Sequence, residues 1–265
     1  MTGKKFYHFI SIIINHLKNP YYQGFAAQMA FYFVLSIVPI VVVLSQMLGL
    51  VSLSLNVLDE LVREYASEEF VEITQDFLTY VPSGPMNIFF VLIALWSASR
   101  TQFAMVRLAN YTMTEGQSAG RGYFRDRLRA YKTILFTLFT VTFTLVVLVY
   151  GELILMLFKL QEFWLYIRWP VAFALYFLMV CYNFYALPYE KVKFRDILPG
   201  SLFSSIGMLV VTIFYSGYMK YIGGFDIIYG SLATSVALII WFFILSWALV
   251  LGVLLNKAFC DIMNE

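Results

Sequence analysis

The sequence has few charged residues. Asp, Glu, Lys and Arg make up 13% of its 265 residues, about half the share that is usual in soluble domains. Hydrophobic residues make up 61% and aromatic residues 19%. So few charges could not cover the surface of a soluble domain of this length, and the composition excludes one. It predicts a protein with several membrane-spanning helices.

Residue groups that carry chemistry are also absent. The net charge of +2 is too small for a surface that follows nucleic-acid phosphates. HExxH, P-loop and CxxC motifs do not occur, and His8 and His16 lack further ligands for a metal. We therefore expect no enzyme, no cofactor, no metal site and no nucleic-acid partner. We expect Cys181 and Cys260 to be reduced, packed thiols rather than a disulfide.

Six apolar stretches have the length of about 20 residues that a membrane-spanning helix needs. They predict an all-α, polytopic membrane protein with a six-helix membrane domain over 21–258 and a short cytoplasmic tail over 259–265. The six predicted spans are 25–50, 86–110, 133–158, 164–187, 198–221 and 231–256.

The distribution of Lys and Arg predicts the orientation of these spans. The N-terminal stretch, the loops after spans two and four and the C-terminal tail hold most of the basic residues outside the spans. Cytoplasmic loops carry such an excess. We therefore expect both termini to lie in the cytoplasm.

Two stretches outside the spans have helical periodicity. In 1–20, apolar residues recur at the spacing of one helix face, which predicts an amphipathic helix lying in the cytoplasmic interface. In 51–82, the same periodicity predicts an outer cap of two amphipathic helices. The cap holds seven acids, Asp59, Glu60, Glu64, Glu68, Glu69, Glu72 and Asp76. These acids form either a solvated face or a mouth that collects cations.

Span two carries charge inside an otherwise apolar helix. Ser97, Arg100, Arg107 and Asn110 follow at intervals of 3, 7 and 3, which predicts a shared helix face. An arginine near the bilayer centre costs about 2.5–3.5 kcal/mol, and no acid is expected at that depth to pair with Arg100. A guanidinium without a carboxylate suits an anion such as a phosphate.

Each arginine of span two also has a structural interpretation. Arg100 could bind unpaired helix carbonyls or extend towards the interface. Arg107 is nearer the interface, where it either extends to water or meets lipid phosphates.

Span one contains a proline within an apolar run, and the polar residues Gln28 and Ser36 precede it. Pro39 removes a backbone donor and predicts either a packing kink or a hinge beside a cavity. In span five, the small residues Gly200, Ser204 and Gly207 predict a helix-contact ridge.

Four segments resemble, in order, the signature of the YihY/BrkB family. They are 26–39 (AAQMAFYFVLSIVP), 95–100 (LWSASR), 194–200 (FRDILPG) and 229–232 (YGSL). The similarity extends from about residue 20 to residue 258. One departure is Leu254, which stands where the family's GAExN motif has an acid, and this puts a proton- or cation-coupling role in doubt.

The resemblance implies a six-span, multi-pass protein of the bacterial inner membrane. Members of the family have carried a ribonuclease label, and roles in lipid or ion transport have been suggested for them. The sequence does not favour a nuclease, because it lacks a cluster of His or carboxylate residues for a divalent metal.

We expect binding or passage of an anionic amphiphile, such as a phospholipid or lipid precursor, through a cavity between spans one, two and six. One alternative is a non-catalytic scaffold that docks envelope proteins through 51–82. Another is a cation or proton antiporter, which the lack of mid-membrane carboxylates weakens. The expected binding residues are Arg100, Ser97, Arg107, Asn110, Gln28, Tyr32, Ser36 and Ser231, with Pro39 as hinge or kink.

The predicted orientation can be tested by labelling single cysteines in intact cells. Positions in 60–75 should react with a membrane-impermeant maleimide from outside, whereas positions in 115–125 should react only after the membrane is permeabilised. The opposite pattern would reverse the orientation and move the acidic cap into the cytoplasm.

Overall fold

The structure, a computed structural model, describes residues 13, 14, 16–49, 85–157, 161–222 and 231–264. These residues form six long helices, preceded by helical residues at 13, 14, 16 and 17, and they form no strand. The helices pack as a closed ring in which each contacts the next and the last contacts the first; the last also contacts the second. They are α1 (Pro20–Gly49), α2 (Pro85–Met113), α3 (Tyr123–Leu157), α4 (Gln161–Ala186), α5 (Phe194–Ile222) and α6 (Ser231–Asn264).

Each predicted span corresponds to one of these helices, so the all-α prediction is confirmed for the described residues. Four helical segments are long and apolar enough to cross a membrane, and they lie in α3, α4, α5 and α6. The four segments are Tyr123–Leu148, Tyr166–Ala186, Phe194–Met219 and Ser235–Met263. The membrane-spanning character of α1 and α2, and with it the count of six spans, stays a prediction.

The predicted small-residue ridge brings α5 and α6 into close contact. A Cβ atom at Gly200 would overlap the carbonyl oxygen of Gly252, and one at Gly252 would overlap Oγ of Ser204. The Gly200 N–H donates to Oδ1 of Asn256 at 2.7 Å, and Ser204 Oγ donates to an α6 carbonyl oxygen at 2.8 Å. The prediction of a helix-contact ridge is therefore confirmed.

Apolar side chains fill the interior where α1, α2 and α6 meet. Met29 of α1, Leu108 of α2 and Leu254 of α6 are fully buried. They belong to one core cluster to which all six helices contribute. Cys181 is buried in the same cluster, and both cysteines are thiols as expected. The sequence predicted a cavity between spans one, two and six. At this level of the described structure, packed apolar side chains occupy that position.

We call the end of the bundle with loops 114–122 and 187–193 the basic end. Asn110, near the end of α2, holds the second of these loops in place. Its Oδ1 accepts the backbone N–H of Tyr189 at 2.8 Å, and its Nδ2 donates to the carbonyl oxygen of Leu187. Asn110 is 3% exposed, so its amide is shielded from water and committed to this loop.

Two predicted elements lie wholly or mostly outside the described residues. The cap over 51–82 lies outside them entirely. Of the helix predicted over 1–20, residues 13, 14, 16 and 17 are described and are helical, and His16 packs edge-on against Tyr22. Burial lowers the pKa of His16, which favours the neutral imidazole at this contact.

Replacing Gly200 with alanine should destabilise the protein. The added methyl group has to push α5 away from α6, and overpacking of this kind costs about 1–3 kcal/mol. Gly217→Ala is the matched control, because it lies in the same helix and a Cβ there meets open space. Thermal unfolding in detergent should show a lower Tm for Gly200→Ala and an unchanged or slightly higher Tm for Gly217→Ala. Equal Tm values would contradict the close contact of α5 and α6.

Replacing Asn110 with alanine should also lower the Tm. The substitution leaves the partly buried N–H of Tyr189 without its acceptor, which costs about 1 kcal/mol. Gln117→Ala removes an amide from an exposed position of the neighbouring loop and should change the Tm little. A neutral Asn110→Ala variant would mean that the loop does not depend on this side chain.

Candidate functional site

Arg100 lies against two aromatic rings at the contact of α1 and α2. Its Cζ atom is 4.1 Å from the centre of the Trp96 ring and 5.7 Å from the centre of the Tyr32 ring. The two helices are joined at this level because Oγ of the fully buried Ser36 donates to the carbonyl oxygen of Ser97 at 3.2 Å. The structure therefore brings four of the predicted site residues together.

A second arginine, Arg127 of α3, reaches the same tryptophan. Its Nη2 donates to the carbonyl oxygen of Trp96 at 2.6 Å, and its Cζ atom is 5.1 Å from the Trp96 ring centre and 5.8 Å from that of Phe103. Arg127 is only 8% exposed. Arg127 was not predicted at this site, because its place among the basic residues after span two indicated a loop outside the membrane.

The two guanidinium groups carry like charge without an acidic partner. Neither forms an ion pair with a carboxylate among the residues that the structure describes. A cation–π contact supplies about 0.5–2 kcal/mol, which offsets part of the insertion cost of an arginine but leaves its charge in place. The surroundings of Trp96 are therefore positively charged.

The hydrogen bonds of the two arginines differ. Arg127 binds a helix carbonyl, which is the role that the structural interpretation gave to Arg100. Arg100 makes no hydrogen bond within the described part of the chain and is half-buried. Its Cζ atom lies over the Trp96 ring, and an aromatic ring supplies no acceptor oxygen for the five guanidinium N–H donors. These donors are available to an anion.

Arg107, one turn beyond Phe103, lies in a cleft at the basic end. Its side chain is exposed, and the cleft between α2, the 114–122 loop and α3 has a volume of about 300 Å³. Phe103 and Tyr123 form an aromatic wall with ring centres 5.6 Å apart. The cleft is lined by Phe103, Arg107, Ala119, Gly120, Gly122, Tyr123 and Asp126.

The remaining predicted site residues lie elsewhere. Asn110 does not share a surface with Arg100, because its amide is hydrogen-bonded to the backbone of the 187–193 loop. Gln28 and Pro39 are half-buried in α1, and the proline is inside a continuous helix. Ser231 begins α6, but its side chain lies outside what the structure describes.

Other arginines at the basic end have structural contacts. The Cζ atoms of Arg129 and Arg121 lie 3.9 Å and 4.9 Å from the ring centre of Tyr189, and Arg129 donates to the carbonyl oxygen of Leu187 at 3.2 Å. Burial and the neighbouring Asp126 carboxylate raise the pKa of Tyr189 to about 12. Tyr189 is thus a neutral anchor for two arginines.

Comparison with known proteins identifies the family. A family model described as virulence factor BrkB matches residues 13–262. YfkH of Bacillus subtilis (strain 168), which is named as a ribonuclease-like protein, is 26% identical over 243 residues, or 87% of each chain. No solved structure matches. The family match covers nearly the whole chain and confirms the resemblance drawn from the motifs. With its long apolar helices, this chain is a multi-pass membrane protein that belongs to the virulence factor BrkB family.

Proposed function

We propose that this protein binds an anionic amphiphile, a phospholipid or lipid precursor, and moves it across the bacterial cytoplasmic membrane. The head group is held by Arg100. In this proposal all six helices span the membrane, both termini and the basic end face the cytoplasm, and the protein works without a cofactor. Its partners are membrane lipids.

One observation carries the proposal: Arg100 is half-buried, stacks on Trp96 and makes no hydrogen bond or ion pair within the described residues. A permanently charged group in this position gains from an anionic ligand. At an effective dielectric constant of 20, opposite charges 4 Å apart attract by about 4 kcal/mol. That gain is comparable to the whole insertion cost of the arginine.

Arg127 strengthens the argument for an anion. Its charge lies on the same ring as that of Arg100, and the two cations repel each other in the absence of a ligand. A phosphate beside Arg100 relieves this repulsion, whereas a cationic substrate would increase it. The site thus favours negatively charged head groups over cations.

The two alternative functions have less support. A cation or proton antiporter commonly uses a carboxylate within the membrane, but Leu254 stands at the position of the family's acid and is fully buried among apolar side chains. A scaffold that docks envelope proteins depends on 51–82, which lies outside the described residues. Lipid transport is therefore the function that we put forward.

Substitution of Arg100 should impair transport in proteoliposomes. We expect Arg100→Gln to slow the movement of fluorescent phosphatidylglycerol between leaflets by about 10-fold or more, because a charged hydrogen bond is lost. Arg100→Lys should retain part of the rate, since it keeps the charge and loses the planar fork. The rate can be measured as protection of the fluorophore from dithionite.

Arg168→Gln is the control, because Arg168 also stacks on a tryptophan, Trp169, at 5.5 Å, and lies on α4. It should transport at the wild-type rate. Native mass spectrometry should show phosphatidylglycerol retained by the wild type and by Arg168→Gln but lost from Arg100→Gln. Wild-type transport and retention by Arg100→Gln would rule out the assigned site.

We also propose that the protein has no nuclease activity, despite the name of its Bacillus relative. Protein purified free of contaminating ribonuclease should leave RNA intact in Mg²⁺, Mn²⁺ or Zn²⁺, as measured by gel electrophoresis of a labelled RNA. Cleavage that persists through purification and disappears on a single substitution would overturn this.

A further inference from the structure

Cations and aromatic rings alternate along one surface of α2 and α3. Trp96, Arg100, Phe103 and Arg107 follow at intervals of 4, 3 and 4 on α2, which places them on one helix face. Arg127 of α3 joins this row, because its guanidinium lies near the rings of both Trp96 and Phe103. We call these five residues the cation–aromatic track.

The track connects the Arg100 site to the cleft at the basic end. Phe103 belongs to both, since it contacts Arg127 and forms the cleft wall with Tyr123. Arg100 and Arg107 are seven residues apart, which corresponds to about 10 Å along the helix. An anion that leaves Arg107 therefore stays within reach of an arginine until it meets Arg100.

This surface lies on the outside of the bundle. Trp96 of the track is 42% exposed and Tyr123 of the cleft wall is 58% exposed. The apolar residues Phe124 and Leu128, which follow Tyr123 and Arg127 in α3, are exposed as well. On a protein embedded in a bilayer, apolar side chains that face outward contact lipid tails. A ligand on the track can therefore keep its acyl chains in the bilayer while its head group contacts the arginines.

Resting on the proposed function above, we propose that the cleft is the loading site of the same route. The phosphate of a membrane-anchored amphiphile binds Arg107 there and then passes along the cation–aromatic track to Arg100. The route runs along the outer groove of α2 and α3, not through the packed interior between α1, α2 and α6.

Asp126 gives this proposal a second electrostatic test. It is the acidic residue in the cleft lining, and its Oδ1 accepts the backbone N–H of Arg121 at 3.0 Å. Its negative charge opposes an anion on Arg107. Asp126→Asn keeps an oxygen for the Arg121 N–H and removes the charge, so it should strengthen phosphate binding.

The experiment measures transport of fluorescent phosphatidylglycerol in proteoliposomes at low, rate-limiting lipid concentration. We expect Arg107→Gln to slow transport by about 10-fold and Arg107→Lys to restore part of the rate. Asp126→Asn should accelerate it roughly 2- to 5-fold. The control is Arg125→Gln, an exposed arginine of α3 that is outside the cleft lining; it should transport at the wild-type rate.

The two proposals fail in different ways. If Arg100→Gln stops transport while the Arg107 and Asp126 variants match the wild type, the loading site and the track are wrong and the Arg100 site stands. If Arg107→Gln and Arg125→Gln slow transport equally, general surface charge accounts for the effect and the loading site is also wrong. If none of the variants, Arg100→Gln included, affects transport, the proposed function fails as well.

Soluble glycerol 3-phosphate distinguishes a lipid head group from a free phosphate. We expect it to leave lipid transport unchanged at millimolar concentration, because the membrane concentrates an anchored ligand at the cleft. Complete inhibition that is lost in Arg107→Gln would identify a site for free phosphate and overturn the assignment to an anchored amphiphile.

Discussion

The arrangement around Trp96 depends on the cost of placing guanidinium groups among apolar helices. One ring contacts Arg100 and Arg127, and the tryptophan carbonyl oxygen accepts a hydrogen bond from the second of these. Stacking offsets part of the transfer cost of each cation and cannot neutralise it. A structural ion pair would have removed the remaining charge. Its absence from the described surroundings leaves a site that an anion would stabilise.

The rest of the bundle provides the rigidity that such a site needs. The close contact of α5 and α6 at Gly200 and the amide clamp of Asn110 use backbone groups that have few alternative conformations. The α5–α6 contact lies away from the surface that carries the cation–aromatic track, whereas the Asn110 clamp lies on α2 near Arg107 and fixes the loop beside the cleft.

Much of this fold can be predicted from the hydropathy of the sequence, whereas only part of the site can be predicted. Long apolar runs predicted all six helices, and the spacing of small residues predicted the α5–α6 contact. The structure brings Tyr32, Ser36, Ser97 and Arg100 close together, and their shared binding role stays a prediction. Arg127 was missed because α3 begins well before the apolar run that marks the span. Its spacing of 7 and 11 residues from the buried Ile134 and Leu138 was the available signal, since this spacing puts all three on one helix face.

Asn110 shows a second limit of sequence reasoning. Its interval from Arg107 placed it on the arginine face, yet its side chain is buried against the 187–193 loop. Helical periodicity gives a direction around one helix, but it does not tell which neighbour covers that direction. The Asn110 amide is hydrogen-bonded to a loop and holds it in place. Arg107 lies in an open cleft, where its N–H donors are available.

The position of the charged surface also limits the kind of ligand that this fold can serve. A soluble anion would need an aqueous path to Arg100, but the described interior between α1, α2 and α6 is filled by apolar side chains. An amphiphile on the proposed route needs no such path, because its tails would remain in the bilayer while its head group contacts the arginines of α2 and α3. Arginines spaced by about two helical turns then reduce the cost of carrying a phosphate past the apolar helices. The same packed interior that argues against a water-filled channel is therefore compatible with a lipid substrate.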